Sequence, residues 1–224
     1  MRKRCLIIFL LIVLAVPGLA VDKTGLFSVG GRAALWAPLG EFPQAVDTKG
    51  RVGLTVGVGF AEAWSILISG SYDFAEQKDD YFDDAFEDAA DDFAADFNML
   101  EAHFMLRWNL TPRARFDPFV QFGAGIFSFP VYQMRDDNDD GYAEHLSTNL
   151  DENYGPVYSA YVGIGGEFFT EAFLSLEFEI GYDAVFDFPV PRRTTEEEED
   201  LRYYYYEEQL LHLLSFGIGV NLYI

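Results

Sequence analysis

One acidic segment of the chain has the residue types and the spacing of a cation-binding loop. Asp136, Asn138 and Asp140 place oxygen atoms at alternate positions, and a glycine follows them where such a loop turns sharply. Glu144 adds a carboxylate at the ninth position, whereas the twelfth position, usually a bidentate Glu, is Ser147. The pattern predicts a calcium site at Asp136, Asn138, Asp140 and Glu144, with a plain acidic turn as the alternative.

The same segment contains a histidine and a serine that could act together in catalysis. His145 and Ser147 are separated by one residue, and Glu144 or Glu152 could orient the imidazole as a general base. Aspartate, asparagine and glycine surround the pair, and this composition is typical of a polar loop rather than of a shaped active site. The sequence therefore predicts that the protein is not an enzyme.

A second set of charged residues lies inside segments that are otherwise apolar. Glu101, His103 and Arg107 occupy odd-numbered positions between large apolar residues. Charges buried in such surroundings must pair, so the pattern predicts a structural network of ion pairs and hydrogen bonds, with a proton or ion path as the functional alternative. We expect His103 to be a hydrogen-bonded member of this network rather than a metal ligand. The predicted network comprises Arg32, Arg51, Glu101, His103, Arg107, Glu167, Glu177 and Glu179.

These charges belong to segments whose hydrophobicity alternates with a period of two. In the last segment the even-numbered residues from Leu214 to Leu222 are large and apolar, and the residues between them are small or polar. A strand that crosses a membrane needs about 9–11 such residues. The predicted strands cover residues 26–37, 51–61, 63–74, 98–110, 118–129, 157–169, 172–185 and 210–224.

Eight alternating strands predict an all-β protein, an eight-stranded antiparallel up-and-down transmembrane β-barrel. A soluble eight-stranded calyx is the alternative, but a calyx buries its large apolar side chains inside. Here the face with repeated Glu, Arg and Gly carries the smaller and more polar side chains, so it suits the interior of the barrel. Because side chains just fill a barrel of this size, we expect a closed lumen. For residues 118–129 the alternation does not indicate which face points outward.

The connections between the predicted strands alternate in length. They are short after the second, fourth and sixth strands and long after the others. A barrel with both termini in the periplasm has this arrangement of short turns and long, here acidic, outer loops. In one long connection, residues 79–96, Phe and Ala recur at three- and four-residue steps, which predicts a short amphipathic helix.

Residues 1–20 have the features of a secretory signal peptide. Three cations begin the segment, an uninterrupted apolar run follows, and small residues precede a cleavage site after Ala20. The predicted mature chain is a single barrel domain, residues 21–224. Cys5 is the only cysteine and belongs to the signal, so the mature chain can form neither a disulfide nor a thiolate metal site.

The charge and composition limit the partners. The formal net charge of −22 argues against nucleic acid, because binding to phosphates is driven by cations. Aromatic residues make up 17% of the chain, as expected of a barrel with aromatic girdles among outer-membrane lipids. An extracellular ligand or divalent cations are the partners expected for the acidic loops, and calcium is the only cofactor considered.

Three strand-like segments carry a family resemblance: Pro118–Phe127, Tyr161–Phe169 and Leu174–Tyr182. Together they resemble small outer-membrane β-barrel proteins of the OmpA/OmpX type. The resemblance implies location in the bacterial outer membrane and insertion by the barrel assembly machinery. It implies no single activity, since members include structural proteins, adhesins and small pores. The chain departs from the family in ending at Ile224, where many members have Phe, and in lacking a peptidoglycan-binding domain after the barrel.

The sequence thus predicts an outer-membrane barrel with a structural or surface-interaction role. A small pore for ions or small solutes is the alternative, and it would require a continuous wet lumen. A lipid-modifying enzyme is a second alternative, because the His145–Ser147 spacing is similar to the dyad of outer-membrane lipid A deacylase barrels.

Overall fold

A computed structural model describes residues 21–39, 46–47, 50–77, 93–136, 156–193 and 204–224. These residues form nine β-strands. No helix among them is long and apolar enough to cross a membrane. The strands are β1 (Phe27–Leu39), β2 (Val46–Asp47), β3 (Gly50–Ala61), β4 (Trp64–Gln77), β5 (Phe93–Asn109), β6 (Phe116–Asp136), β7 (Val157–Glu171), β8 (Leu174–Arg193) and β9 (Tyr204–Tyr223).

Eight of the strands close into an antiparallel barrel. Each long strand pairs with the next one along the chain, and β1 pairs with β9 to complete the circle. The two-residue β2 pairs with the end of β4. Closure leaves every barrel strand with two neighbours, so each backbone N–H and C=O can bond within the sheet, as a membrane-spanning sheet requires. The predicted eight-stranded barrel is confirmed.

Large apolar side chains cover the outside of the barrel. Ile218 is 70% exposed and Phe27 63% exposed, while the alternate positions turn inward and are mostly buried. The faces predicted from the alternation agree with this pattern. In β6, whose orientation the sequence left open, Phe119 and Phe127 point inward and Phe122 points outward.

The three short connections, the start of β1 and the end of β9 lie at one end of the barrel. Residues 62–63, 110–115 and 172–173 form these turns, and Phe27 and Ile224 exchange two backbone hydrogen bonds beside them. We call this the turn end and the opposite one the loop end. The short turns predicted after the second, fourth and sixth barrel strands are therefore confirmed.

At the loop end the strands continue beyond their predicted limits. The predicted helix is wrong over its last residues, since Phe93–Phe97 belong to β5 and pair with both β4 and β6. The local hydrophobic period favours a helix. However, pairing with a strand on each side satisfies the backbone N–H and C=O groups of this segment. Residues 79–92 of that prediction lie outside the described residues, as does the predicted signal peptide at 1–20.

A short segment before β1 folds back across the turn end. Val21 and Lys23 are buried, and Thr24 forms a parallel bridge with Gly59 of β3. The Gly25 N–H donates to the Gly59 carbonyl at 2.6 Å. A Cβ on Gly59 would lie 2.1 Å from the Lys23 carbonyl oxygen, so only glycine permits this approach. We call residues 21–26 the N-terminal plug.

Candidate functional site in the barrel lumen

The candidate functional site is the lumen, where the inward positions of all eight barrel strands meet. Successive side chains of a strand point to opposite faces, so every second residue contributes to the interior. Many of these residues are polar or charged and nearly inaccessible. Because charges removed from water must be paired, their partners decide whether the lumen is structural or conducting. The charged groups form three layers.

The first layer lies at the turn end and centres on the N-terminal plug. The Lys23 ammonium donates to Glu167 Oε2 at 2.7 Å, to Asp117 Oδ2 at 2.8 Å and to Asn109 Oδ1 at 3.1 Å. It also lies 5.1 Å from the centre of the Phe169 ring. Lys23 is 4% exposed and both carboxylates are fully buried. The plug is thus held by one lysine that uses all three of its N–H donors.

Glu167 links the plug to the rest of the wall. Its carboxylate accepts hydrogen bonds from Ser175 Oγ on β8, from Asn221 Nδ2 on β9 at 3.3 Å and from Tyr223 Oη at 2.5 Å. Asn221 Nδ2 also donates to Glu177 at 3.1 Å. These bonds connect the first layer with the layer above it.

The middle layer consists of two arginines and two glutamates. Arg32 Nη2 lies 2.6 Å from Glu177 Oε1 and also contacts Glu179, while Arg107 Nη1 lies 2.8 Å from Glu177 Oε2. Gln121 accepts from Arg107 Nε at 3.0 Å and donates to Glu179 at 2.7 Å. Side chains from β1, β5, β6 and β8 therefore meet across the full width of the lumen.

The third layer lies nearer the loop end. Arg51 binds Asp73 with both Nε and Nη2, at 2.6 and 2.9 Å, and its Nη2 also lies 2.5 Å from Glu101. A paired, two-point contact of this kind is the strong geometry for an arginine and a carboxylate. Asp183 lies 3.8 Å from the same guanidinium.

His103 connects Glu101 and Asp183 in the third layer. Its Nδ1 lies 2.6 Å from Glu101 Oε1, and its Nε2 lies 2.9 Å from Asp183 Oδ1. These three residues are close enough together to be considered as metal ligands. However, a metal binds one ring nitrogen, and here the two carboxylates face opposite nitrogens. The arrangement suits a protonated ring that donates to both acids.

A cavity of about 50 Å³ separates the middle layer from the third layer. Arg32 and Glu179 bound it on one side and Arg51, Glu101 and His103 on the other. Beside it, three residues form a small apolar cluster: Leu67, Met105 and Tyr161. A volume of this size holds only a few water molecules.

Large apolar side chains fill the lumen beyond the third layer. They lie on the loop-end portions of β1, β6, β8 and β9 and are at most 3% exposed. The group consists of Trp36, Phe127, Val185, Phe188, Leu211 and Leu213. An ion moving through the lumen would have to cross this apolar group as well as the three charged layers.

All eight residues of the predicted charge network point into the lumen and contact one another or the residues between them. Lys23, Asp73 and Asp117 are central to the layers but are not among the predicted residues of the network. In β4, Asp73 follows Tyr72, which points outward, so the alternation of faces alone could have identified Asp73 as an inward residue. No local signal identifies Lys23, because it precedes the first strand.

The predicted loop sites lie largely beyond what the structure describes. Asp136 is the last residue of β6. The other three residues of the predicted calcium site, Asn138, Asp140 and Glu144, lie outside the described residues. His145 and Ser147 lie there too, so the dyad remains a sequence observation.

One titratable group lies at the outer edge of the plug. Hydrogen bonds from the backbone N–H and the hydroxyl of Thr24 hold the pKa of Asp22 below its usual value, and the nearby Arg113 guanidinium adds to this effect. Arg113 contacts Asp22 at 3.1 Å and Glu62 at 3.3 Å, and all three side chains are about half exposed. This surface group ties the plug to two of the short turns.

Three solved structures with a similar architecture are outer-membrane proteins. OprG from Pseudomonas aeruginosa has a TM-score of 0.58 at 13% identity, covering 92% of this chain and 99% of its own. A major outer membrane protein from Thermus thermophilus has a TM-score of 0.52 at 10% identity, covering 89% and 99%. Neisserial surface protein A has a TM-score of 0.50 at 8% identity, covering 88% and 98%.

No family model and no curated protein matches the sequence. At these identities the likeness concerns the fold alone. The chain therefore has the fold of a small outer-membrane β-barrel, and the resemblance seen in the sequence is confirmed at that level.

Proposed function

We propose that this protein is a closed barrel of the bacterial outer membrane, with a structural role and an acidic surface that contacts partners. The observation that carries the proposal is the lumen: three layers of buried, interlocked charges and an apolar group occupy it from the turn end to the loop end. In this proposal the turn end, with both termini, faces the periplasm.

The energetics of the layers support a closed state. Removing one partner of a buried ion pair costs about 3–5 kcal/mol, because the other charge remains buried and unpaired. Opening the lumen would require Arg51, Arg107 and Lys23 to leave carboxylates that are at most 5% exposed. A wide path therefore does not form by small side-chain movements.

The outer wall supports placement in a membrane. Trp64 and Trp108 stack at 5.9 Å near the turn end, on the outside of β4 and β5. About midway along β8 and β9, beside the third layer, Tyr182 Oη and His212 Nδ1 are 2.5 Å apart on the outside of the barrel. Amphipathic rings at two levels, with apolar side chains between them, are typical of the two interfaces of a membrane barrel.

The acidic residues support a surface role. The connections 78–92, 137–155 and 194–203 join strands at the loop end and contain 19 of the 37 Asp and Glu residues of the chain. A surface with this charge attracts cationic groups and divalent cations. Calcium at Asp136, Asn138, Asp140 and Glu144 remains part of this proposal.

A small pore is the second candidate, and the cavity between the layers is the observation that favours it. Its ionisable walls, Arg32, Arg51, Glu101 and His103, would be the selective part of such a pore. The apolar group beyond the third layer would then have to move.

Planar-bilayer conductance of the refolded protein separates the two candidates. We expect folded protein, verified by its heat-modifiable gel migration, to show no discrete conductance steps. Steps that change when Glu101 is replaced by Gln would overturn the closed barrel and favour the pore. Calcium titration of the folded protein, with Asp140→Asn as the variant, tests the surface site.

A further inference from the structure

One cation on the outer wall has a setting unlike those of the lumen. Arg115 lies in the turn between β5 and β6, and its guanidinium is 4.8 Å from the centre of the Phe168 ring. Phe168 belongs to the outward-facing set of β7. Arg115 Nε donates to the Phe169 carbonyl at 3.2 Å, which fixes the guanidinium against the wall at the turn end.

Arg115 differs from the other cations in its charge partners. Among the side chains that the structure describes, each of the other five cations contacts at least one carboxylate: Lys23, Arg32, Arg51, Arg107 and Arg113. The contacts of Arg115 in the same part of the chain are a backbone carbonyl and an aromatic ring. In a chain with net charge −22, a guanidinium without an acidic partner is available to an outside anion.

The wall next to Arg115 is an aromatic surface. Phe116 and Phe178 stack with ring centroids 6.0 Å apart and an interplanar angle of 9°. They meet across β7 above Gly166, where a Cβ would lie 2.5 Å from the Phe116 ring. Glycine therefore lets two rings from β6 and β8 come together on the lipid-facing side. Phe178 is 52% exposed, as is suited to contact with an acyl chain.

We propose that Arg115, with the Phe116–Phe178 pair, binds an anionic phospholipid in the membrane leaflet at the turn end. The planar guanidinium can bind two phosphate oxygens at once. The Phe168 ring beside the guanidinium and the Phe116–Phe178 pair then contact the part of the lipid nearest its headgroup, the level at which aromatic residues lie in membrane interfaces. The site requires that the barrel is in a membrane, but it does not depend on whether the lumen is closed.

Native mass spectrometry of the full chain tests the site. The refolded protein is released from mixed micelles of phosphatidylglycerol and phosphatidylcholine, and the retained lipids are counted. We expect a preference for phosphatidylglycerol that falls about fivefold in Arg115→Gln, the effect of roughly one interfacial charge. Arg113→Gln is the matched control: it lies two residues away but is paired with Asp22 and Glu62, and we expect no change.

Three outcomes would overturn the proposal. Equal retention of the two lipids by the unmodified protein does so without any variant, which matters if Arg115→Gln does not fold. An unchanged preference in folded Arg115→Gln assigns the binding elsewhere. Selective retention of added lipopolysaccharide instead of phosphatidylglycerol would mean that Arg115 binds a lipid A phosphate.

Discussion

Lys23 and Glu167 are 144 positions apart in the chain, and their side chains form a buried contact of 2.7 Å. The lysine comes from a segment that precedes the first strand, and the glutamate comes from β7 at the turn end. This contact joins the N-terminal plug to the hydrogen-bond network of β7, β8 and β9. The plug at the turn end is therefore held by residues from several strands and not by a single hairpin.

Replacing Lys23 by Met should destabilise the barrel strongly. Asp117 and Glu167 would lose their cation while remaining buried, at a cost of about 3–5 kcal/mol. Urea unfolding followed by tryptophan fluorescence measures the change. Asp22→Asn is the control, because its pair with Arg113 is exposed and screened by solvent, so its loss should barely change the unfolding midpoint. Equal stability of the two variants would show that the plug is not held by Lys23.

Replacing Gly59 by Ala should release the N-terminal plug while the eight barrel strands remain paired. The added Cβ would lie 2.1 Å from the Lys23 carbonyl oxygen, so the segment must move. Trypsin should then cut after Lys23 in the folded protein, a site that is buried in the unmodified chain. Gly31→Ala serves as the comparison, since its Cβ would meet no atom within 4 Å. Protection of Lys23 in both variants would contradict this account.

Replacing Arg51 by Gln should remove the guanidinium that pairs with Asp73 and Glu101 in the third layer. Asp73 and Glu101 would stay buried without it, and we expect a loss of about 3–5 kcal/mol. Arg113→Gln changes an arginine that is 52% exposed and should have little effect on stability. Denaturant unfolding of both variants in the same detergent gives the comparison, and a small effect for Arg51→Gln would indicate that water replaces the guanidinium.

Replacing an apolar residue of the outer wall by arginine should lower the free energy of unfolding, and more so the deeper the residue lies in the membrane. Ile218 is 70% exposed and lies well inside β9, so Ile218→Arg should cost about 2–4 kcal/mol in lipid vesicles. Leu222 lies one residue before the end of the strand, and Leu222→Arg should cost about 0–1 kcal/mol. Similar costs at the two positions would mean that the membrane is not centred on this part of the wall.

The faces of the strands were predictable because the signal is local. Leu214 to Leu222 alternate by themselves, whatever the rest of the chain does, and the strand has a period of two. β6 shows the limit of this signal. It has aromatic residues on both faces, and its register with β5 and β7 turns Phe119 inward, where the Arg107 guanidinium lies 3.9 Å from its ring. That contact is made across strands and is not visible in the segment itself.

The ends of the strands were not predictable in the same way. Phe93–Phe97 have a helical hydrophobic period, but they pair with β4 and β6 because those strands also extend there. Pairing depends on two neighbours that are distant in the chain, whereas periodicity describes one segment.

The class of the protein follows from the sequence alone, since eight alternating segments joined by alternately short and long connections admit few other arrangements. The sequence also assigns most charged strand residues to a face, because side chains alternate along a strand; the exceptions are Lys23, which precedes the first strand, and Asp117 on β6, whose orientation the sequence left open. The pairing of those charges follows from the three-dimensional arrangement of the strands. The choice of Glu167 for Lys23, or of Asp73 for Arg51, depends on the register between strands and on closure of the barrel. Register is a relation between separate strands, and no single strand contains it.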